Sequence, residues 1–230
     1  MLVPDMDPLA GTSWSAPGTV AGFASSAPNP VLMQFAEEEL RRVGRGRVLD
    51  LGCGAARNAV PMAQAGWDVV AVDLSWPMLV AAAERARTNH VSHRVHLLLA
   101  PADRVPVADG SIDLVVAHGI WNLAGSAAEF RRAVAEAARV ARPGAGLFVF
   151  TFSRNTFPPD LPPEPGEPFV FTQFSGQPQC FLTAEQLVGE LAAAGFVRDQ
   201  SVPWQEYNRR DHRTPDGGPP VIHEAAFRRR

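Results

Sequence analysis

Two glycines and two carboxylates in the first third of the chain have the spacing of a nucleoside-binding site. A short apolar strand, residues 48–51, leads into Gly52-Cys53-Gly54, and an apolar helical pattern begins at once. Glycine lets the backbone turn sharply and approach a ligand closely, and the first N–H groups of the next helix lie beside that ligand. Asp73 ends the following apolar strand, about 20 residues on, where dinucleotide-type sites place the acid that accepts hydrogen bonds from ribose hydroxyls. The pattern predicts a nucleoside-binding βαβ unit.

Residues around this loop indicate which nucleoside it holds. An NAD site needs a third glycine three positions after Gly54, and Arg57 stands there instead. Asp50 lies two positions before Gly52, and a carboxylate so close to the loop would repel a pyrophosphate. S-adenosylmethionine carries a sulfonium, an ammonium and a ribose, but no phosphate. The loop therefore favours S-adenosylmethionine over NAD.

The chain resembles the class I S-adenosylmethionine-dependent methyltransferases from about residue 31 to its end. The resemblance rests on five sequence blocks in the family's order, which are 48–54, 69–75, Ala102-Asp103, 105–116 and 142–146. Arg57-Asn58 is similar to the pair found in the tellurite-resistance and thiopurine-type enzymes, which methylate small molecules. Those relatives usually have glycine where this chain has Ala56. A negative φ at Ala56 would cost little, whereas a positive φ would strain the loop.

The resemblance implies a set of cofactor-binding residues. They are Asp50, Gly52, Cys53, Gly54, Asn58, Asp73, Leu74, Ala102, Asp103 and His118. In the family pattern Asp73 binds the ribose, Asp103 meets the adenine amino group, and Asp50 acts on the amino group of the methionine part, directly or through water. Other roles stay open, because Asp73 can cap the next helix and Asp103 can be a surface carboxylate. Arg57 suits a surface salt bridge and a ligand contact equally well.

Methyl transfer from a sulfonium is an in-line displacement whose leaving group is already installed. The protein mainly holds the acceptor and the methyl group at reacting distance, which can supply about 7–11 kcal/mol. No metal or nucleophile is needed, and a general base is needed only for acceptors such as hydroxyls. His118 and Tyr207 are the candidate bases, although His118 can also contact the cofactor through its backbone alone. Trp121, Asn122 and Tyr207 are predicted to contact a small-molecule substrate.

Composition and charge disfavour several other classes. The net charge of −3 offers no general attraction to phosphate backbones, which counts against nucleic acid as a partner. No apolar run reaches the roughly 18 residues of a membrane helix. The first seven residues have two acids and no base, unlike a secretory signal, and Cys53 and Cys180 are predicted to be free thiols in a reducing cytoplasm. His90, His93 and His96 straddle a helix end and a strand start, so no metal site is predicted.

Strand and helix patterns alternate along most of the chain. This alternation predicts an α/β, doubly wound, Rossmann-like fold with its ligand at the carboxyl ends of the strands. Seven strands are predicted in a mostly parallel sheet with an antiparallel C-terminal edge strand: 48–51, 68–72, 95–99, 112–117, 146–152, 196–202 and 221–228. Helices are predicted at 30–43, 55–65, 75–89, 126–141 and 183–194. Thr183 and Gln186 have the spacing of a capping box for the last helix, which Gly195 ends.

Three segments lie outside this alternation. Residues 1–30 are rich in Pro, Gly, Ser and Ala, and they form either a disordered tail or a cap over the cofactor site anchored by Trp14 and Phe23. Residues 153–180 are predicted to be an insertion within the methyltransferase domain, residues 31–230, that builds part of the substrate wall. The composition of residues 214–220 predicts a mobile turn.

The sequence thus predicts an enzyme that moves a methyl group from S-adenosylmethionine to a small molecule and releases S-adenosylhomocysteine. Two alternatives remain open beside NAD chemistry. An RNA or protein methyltransferase would need a basic or elongated docking surface, and a regulator would bind the cofactor without turnover.

Overall fold

The computed structural model describes residues 7–208 and 220–230. The main sheet consists of β1 (Arg47–Leu51), β2 (Asp68–Asp73), β3 (Val95–Leu99), β4 (Ile112–His118), β5 (Ala141–Phe152), β8 (Phe196–Arg198), β9 (Gln205–Asn208) and β10 (Val221–Arg229). A small separate sheet pairs β6 (Val170–Phe171) with β7 (Gln179–Cys180). The helices are α1 (Pro17–Ser25), α2 (Pro30–Val43), α3 (Ala59–Ala65), α4 (Trp76–Thr88), α5 (Ala127–Val140) and α6 (Ala184–Ala193).

The topology of the main sheet is doubly wound. Its strand order is β3-β2-β1-β4-β5-β10-β8, and β9 also pairs with β10. The first five strands run parallel, and the direction of winding reverses between β1 and β4. Because ligands of such sheets bind at the carboxyl ends of the strands near this reversal, the topology fixes where the site must lie. The predicted α/β Rossmann-like fold is confirmed.

The C-terminal side of the sheet differs in detail from the prediction. β10 is antiparallel to β5, as expected, but it lies inside the sheet instead of at its edge. β8 and β9 both pair with the outer side of β10 and so form the edge between them. β9 is an eighth strand that the sequence pattern did not predict, because its residues are mostly exposed and polar.

Helices cover both faces of the sheet. Side chains alternate between faces along a strand, so Leu49 and Leu51 of β1 pack towards α5 and α6. Val48 points the other way, into a second core with α2, α3 and α4. The central strands read as continuous apolar runs because both of their faces are buried.

Most predicted boundaries are matched within a few residues, and the larger differences have local causes. α3 begins at Ala59 instead of residue 55, because Gly54 and Ala56 have positive φ angles of 52° and 58° that no α-helix contains. β8 ends at Arg198 instead of residue 202, since Asp199 accepts a hydrogen bond from the backbone N–H of Ser201 and turns the chain. β5 begins at Ala141, before the predicted residue 146.

Two predicted helix ends are confirmed in geometry. Thr183 and Gln186 form the reciprocal capping box at the start of α6, and Gly195 follows the helix with a φ of 85°. At the start of α2, the side chain of Asn29 accepts a hydrogen bond from the backbone N–H of Leu32. This cap places the Asn29 side chain beside the carboxyl end of β4, which becomes important for the site.

The other end of α2 is fixed by a buried carboxylate. Glu39 accepts hydrogen bonds from Arg42 on the same helix and from Arg228 on β10. Burial acts to raise the pKa of Glu39, but the hydrogen bonds from the two arginines hold it below its usual value. α2 is therefore held at both ends against the sheet.

The N-terminal segment lies against α4. The Asp7 carboxylate accepts from the backbone N–H of Trp76 at 3.1 Å, and the Ser15 and Ser75 hydroxyls are 2.9 Å apart. Arg85 on α4 donates to the backbone carbonyls of residues 24 and 26. No residue of α1 is fully buried. The segment is therefore attached mainly by polar contacts and covers the carboxyl edge of the sheet.

Parts of the sequence predictions fall on undescribed residues. The predicted turn lies almost entirely in residues 214–219, and all but the last of the first seven residues lie in 1–6; both ranges are outside the described residues. Within those ranges, none of the helices is long and apolar enough to cross a membrane.

Candidate functional site

A cavity of about 770 Å³ opens at the carboxyl ends of the parallel strands. The ends of β1, β2, β4 and β5 form its floor, and the N-terminal segment and the insertion form its sides. Ligand sites of proteins commonly have volumes of about 300–1,000 Å³. The cavity is therefore large enough for a nucleoside cofactor with a small second molecule beside it.

The glycine loop between β1 and α3 requires glycine at two positions. Gly52 and Gly54 have positive φ angles of 64° and 52°. A Cβ on Gly52 would lie 2.7 Å from the Ile120 side chain, and one on Gly54 would lie 3.1 Å from the Phe23 ring. At both positions the backbone angle disfavours a residue with a Cβ, and a Cβ would come too close to a neighbouring side chain. Both glycines line the cavity.

Ala56 occupies the strained conformation that the sequence left undecided. Its φ is 58°, in the left-handed region that costs a residue with a Cβ about 1–2 kcal/mol. Ala56 is fully buried, so the loop cannot relax into solvent. The strain is held by the packing of the loop against the surrounding core.

Asp73 joins the ends of the first two strands. One carboxylate oxygen accepts from the backbone N–H of Gly54 and the other from that of Ser75, each at 2.8 Å. Burial raises the pKa of Asp73, and these N–H donors oppose the rise. The helix-capping role considered for Asp73 belongs to Ser75, whose hydroxyl accepts from the backbone N–H of Met78 in α4.

Asp50 lies beneath the loop as a buried acid with an unsatisfied oxygen. It is 2% exposed, and its Oδ2 has no hydrogen-bond partner among the described residues. Burial raises the pKa of Asp50 to about 7; the nearby Arg57 acts to lower it, and Asp73 to raise it. A cation bound near Asp50 would stabilise its ionised form.

His118 is held from both sides at the end of β4. Its Nδ1 is 3.1 Å from an Arg57 guanidinium nitrogen, and its Nε2 is 3.1 Å from the Asn29 amide nitrogen. Arginine can only donate, so the ring must offer a lone pair and is neutral in this arrangement. The ring also stacks on Phe150 with centroids 4.2 Å apart. A neutral ring has a single lone pair, so only one of these nitrogens can accept a hydrogen bond, although both face protein side chains.

Polar contacts beside His118 continue along the same face of the sheet to β10. The Asn29 amide donates to Glu224 Oε1 at 2.5 Å, and the Tyr207 hydroxyl donates to Glu224 Oε2 at 3.3 Å. Burial raises the pKa of Glu224, while these two donors act to lower it. Asn29 thus connects the cap of α2, the buried acid on β10 and the cavity residue His118.

The cavity collects most of the predicted site residues. Those that line it are Gly52, Gly54, Asp73, Leu74, Ala102, Asp103, His118, Trp121 and Asn122. Asp103 also lies 3.3 Å from Arg132 of α5, so it combines a cavity position with a salt bridge.

Four predicted site residues do not line the cavity. Asp50 and Cys53 lie buried beneath the loop, and burial raises the pKa of Cys53 well above its usual value. Asn58 accepts a hydrogen bond from the backbone N–H of Asn29. Tyr207 lies on β9 and reaches Glu224.

Several cavity residues had no distinctive sequence signal. They are Ile120, Glu129, Arg132, Phe150, Phe152, Phe174, Ser175 and Gln179. Asn29 was identified only as the start of a helix. Phe174 and Gln179 belong to the insertion predicted as a substrate wall, but the pattern did not single them out.

The structure also describes both cysteines and the side chains that could hold a metal ion. Cys53 and Cys180 are both free and buried. No group of three or more His, Cys, Asp or Glu side chains that could hold a metal ion is found within residues 7–208 and 220–230.

The site suits a positively charged nucleoside. A Cβ at Gly52 or Gly54 would occupy space at the glycine loop. Asp73 lies in the cavity at the end of β2. Asp50 is a buried acid, and one of its oxygens has no hydrogen-bond partner among the described residues. Two carboxylates near the loop attract a sulfonium or ammonium and repel a pyrophosphate. The residues present therefore fit S-adenosylmethionine.

Comparison with known proteins identifies the domain. Residues 48–144 match the family model described as a methyltransferase domain. This segment is therefore similar to a methyltransferase domain. Its sheet order and glycine loop agree with that assignment, which confirms the resemblance noted in the sequence.

The chain is similar to part of several curated relatives. It is 33% identical over 183 residues to the demethylmenaquinone methyltransferase of Beutenbergia cavernae, covering 79% of this chain and 65% of the relative. It is 38% identical over 114 residues to the same enzyme of Renibacterium salmoninarum, covering 49% of this chain and 44% of the relative. The chain thus spans roughly half to two thirds of the length of these two relatives.

A solved structure supports the fold of this chain. A methyltransferase from Methanosarcina mazei that uses S-adenosylmethionine aligns with a TM-score of 0.67 and 19% identity, covering 89% of this chain and 99% of that one. The likeness in fold therefore extends well beyond residues 48–144.

Replacing Ala56 by glycine is expected to relieve the strain in the loop. Relief of about 1–2 kcal/mol offsets the greater chain entropy of glycine in the unfolded state, so the net change should be near zero. Ala63→Gly is the matched control, because Ala63 is equally buried but lies within α3. Urea denaturation should find A63G less stable than A56G by at least about 1 kcal/mol; equal losses would contradict the strain.

Asp50 is expected to make the free energy of unfolding depend on pH. Burial in the fold raises the pKa of its carboxyl to about 7 from an ordinary value of 3.8. The folded protein therefore holds this proton more tightly, and stability is lost as pH rises from about 4 to about 7. Asp50→Asn cannot ionise, so its stability relative to the parent should increase between pH 5 and pH 8, by at most about 3 kcal/mol. Urea denaturation of both proteins at the two pH values tests this, and a constant difference would contradict it.

Proposed function

We propose that this protein transfers a methyl group from S-adenosylmethionine to an uncharged small molecule. The observation that supports it most is the position of Asp73, which lies in a large cavity and is hydrogen-bonded to the glycine loop. When bound, S-adenosylmethionine supplies a methyl group already activated by the sulfonium. The chain's own residues then have to bind, orient and exclude water.

Each end of the cofactor has candidate partners. Asp73 accepts hydrogen bonds from the ribose, and Asp103 with Ala102 lies beside the adenine. The backbone of the glycine loop and Leu74 complete the cradle. Asp50 stabilises the amino group from below the loop, directly or through water, and Arg57 binds the carboxylate of the methionine part. These roles extend the family pattern to residues that the cavity brings together.

The N-terminal segment is proposed to be a cap over the cofactor. Trp14 and Phe23 both line the cavity, and their rings pack edge to face with centroids 6.2 Å apart. Phe23 lies directly over Gly54. Since the segment is attached through polar contacts to α4, it can open for cofactor exchange without disrupting the core.

His118 is proposed to orient the site instead of acting as a base. A general base needs a lone pair directed at the substrate, whereas both ring nitrogens of His118 face Arg57 and Asn29. Tyr207 is proposed to support the same network through Glu224. The acceptor then supplies its own nucleophilic lone pair.

The alternatives fit less well. RNA or protein substrates call for a basic or extended surface, whereas the described site is a cavity with three acids and two arginines in its lining. A regulator that binds the cofactor without turnover would need no space in the cavity for a second molecule. Demethylmenaquinone, which the relatives' name mentions, is the first acceptor to assay. Buried free thiols at Cys53 and Cys180 suit a location in the cytoplasm.

Asp73→Ala is expected to weaken S-adenosylhomocysteine binding at least 30-fold, about 2 kcal/mol, because two ribose hydrogen bonds to a charged acceptor are lost. Asp68→Ala is the control, since Asp68 lies at the opposite end of the same strand and pairs with Arg94. Isothermal titration measures both variants. An unchanged affinity in D73A would refute the cofactor site, and no binding of S-adenosylhomocysteine by the parent would refute the function.

Arg57→Ala is expected to weaken only ligands that carry the methionine carboxylate. S-adenosylhomocysteine should bind about 10-fold more weakly, or about 1.4 kcal/mol, because a charge-assisted hydrogen bond is lost. Methylthioadenosine has the nucleoside but no amino acid, so its affinity should not change. Arg132→Ala is the control at the rim of the cavity. Equal weakening of both ligands in R57A would show that Arg57 does not bind the methionine carboxylate.

A further inference from the structure

The cavity has two chemically different halves. Its described lining contains five charged side chains, which are Arg57, Asp73, Asp103, Glu129 and Arg132. The first two belong to the glycine loop and β2, and the other three cluster at the rim, where Arg132 contacts both acids. We call one uncharged part of the lining the acceptor half; it consists of Trp121, Asn122, Phe152, Phe174, Ser175 and Gln179. None of these six residues is charged.

Aromatic rings fix one wall of the acceptor half. The rings of Phe152 and Phe174 lie with centroids 5.0 Å apart. Both pack on Phe181, at 5.2 and 5.7 Å, and Phe181 is fully buried among Phe157 and other rings of the insertion. Phe174 is therefore held in place by a hydrophobic cluster of its own, even though it lies in a loop between β6 and β7. The wall is rigid and apolar.

Neutral polar groups lie on the other sides of the acceptor half. Trp121 and Asn122 follow β4 and are 1% and 2% exposed, yet Trp121 Nε1 and Asn122 Oδ1 have no hydrogen-bond partner in the described part of the chain. The Gln179 side chain accepts a hydrogen bond from the Ser175 hydroxyl at 3.1 Å. The Ser175 hydroxyl and the Gln179 amide are therefore the polar groups that a ligand in the acceptor half would meet.

The acceptor half is also fixed to the cofactor half. Ile120 packs against Gly52 in the glycine loop, and Trp121 and Asn122 follow it directly. On the insertion side, the Cys180 thiol lies 3.3 Å from the carbonyl oxygen of Ala124. A ligand against Phe174 is thereby held at a constant position relative to the glycine loop.

We infer that the methyl acceptor is a flat, uncharged aromatic molecule with a polar substituent. Its ring packs against Phe152 and Phe174, and its substituent reaches the neutral polar side chains of Ser175 and Gln179. Aromatic walls favour a planar ring through offset or edge contacts, which a saturated ring of the same size cannot make. An ionised ligand would lose its hydration with no opposite charge to replace it. This inference rests on the proposed function.

Three probes of similar size test the inference. They are 2-naphthol, its saturated counterpart decahydro-2-naphthol, and 2-naphthoate, each titrated calorimetrically with and without S-adenosylhomocysteine. 2-Naphthol is expected to bind at least tenfold more tightly than either of the others. A preference for the saturated or the charged probe would overturn the inference, whereas failure of S-adenosylhomocysteine to bind would overturn the proposed function instead.

Variants of Phe174 locate the ring. Phe174→Ala should weaken 2-naphthol binding at least tenfold while the affinity for S-adenosylhomocysteine stays the same. Phe174→Leu keeps apolar contact with Phe181 and should weaken it about threefold, because only the aromatic contact is lost. Gln177→Ala is the control, as Gln177 is an exposed residue of the same loop that does not line the cavity. Unchanged 2-naphthol binding in both Phe174 variants, or an equal loss in Q177A, would contradict the assignment.

Discussion

The hydrogen bond between the Asp73 carboxylate and the backbone N–H of Gly54 is the interaction on which the site depends. It joins the ends of β2 and β1 across the point where the ligand must bind. The same carboxylate also accepts from Ser75, which starts α4. One partly buried acid therefore sets the relative position of the glycine loop, the second strand and the helix after it. Its two backbone N–H donors determine the orientation of the carboxylate.

The loop combines this constraint with strain. Gly52 and Gly54 accept positive φ angles freely, but Ala56 does not. The left-handed turns delay the start of α3 to Ala59, so the backbone N–H groups before it remain close to the cavity. Strain of this kind persists only where the surrounding structure over-determines the conformation. Here the buried acid below the loop and Asp73 beside it provide that support.

A second group of polar side chains lies where α2, β4 and β10 meet. Asn29 caps α2, approaches His118 and donates to Glu224, so elements far apart in sequence meet at one side chain. This arrangement explains why His118 lines the cavity yet has its ring nitrogens occupied. The charged groups thus belong to the cofactor half and its rim, while the acceptor half is neutral and aromatic. We propose that this division of charge within one cavity gives the cofactor and the acceptor different places.

The sequence alone determined the βαβ unit, the glycines Gly52 and Gly54 at its turn, and the position of Asp73 at the end of its second strand. These depend on short-range patterns, since apolar periodicity and glycine positions act within a few residues. Only the tertiary structure decided that Ala56 is strained, that β10 lies inside the sheet and that Asn29, His118 and Glu224 form one network. It also decided that Phe174 faces the cavity and Tyr207 does not. Such features arise from contacts between residues up to 195 positions apart, as for Asn29 and Glu224, which no local pattern encodes.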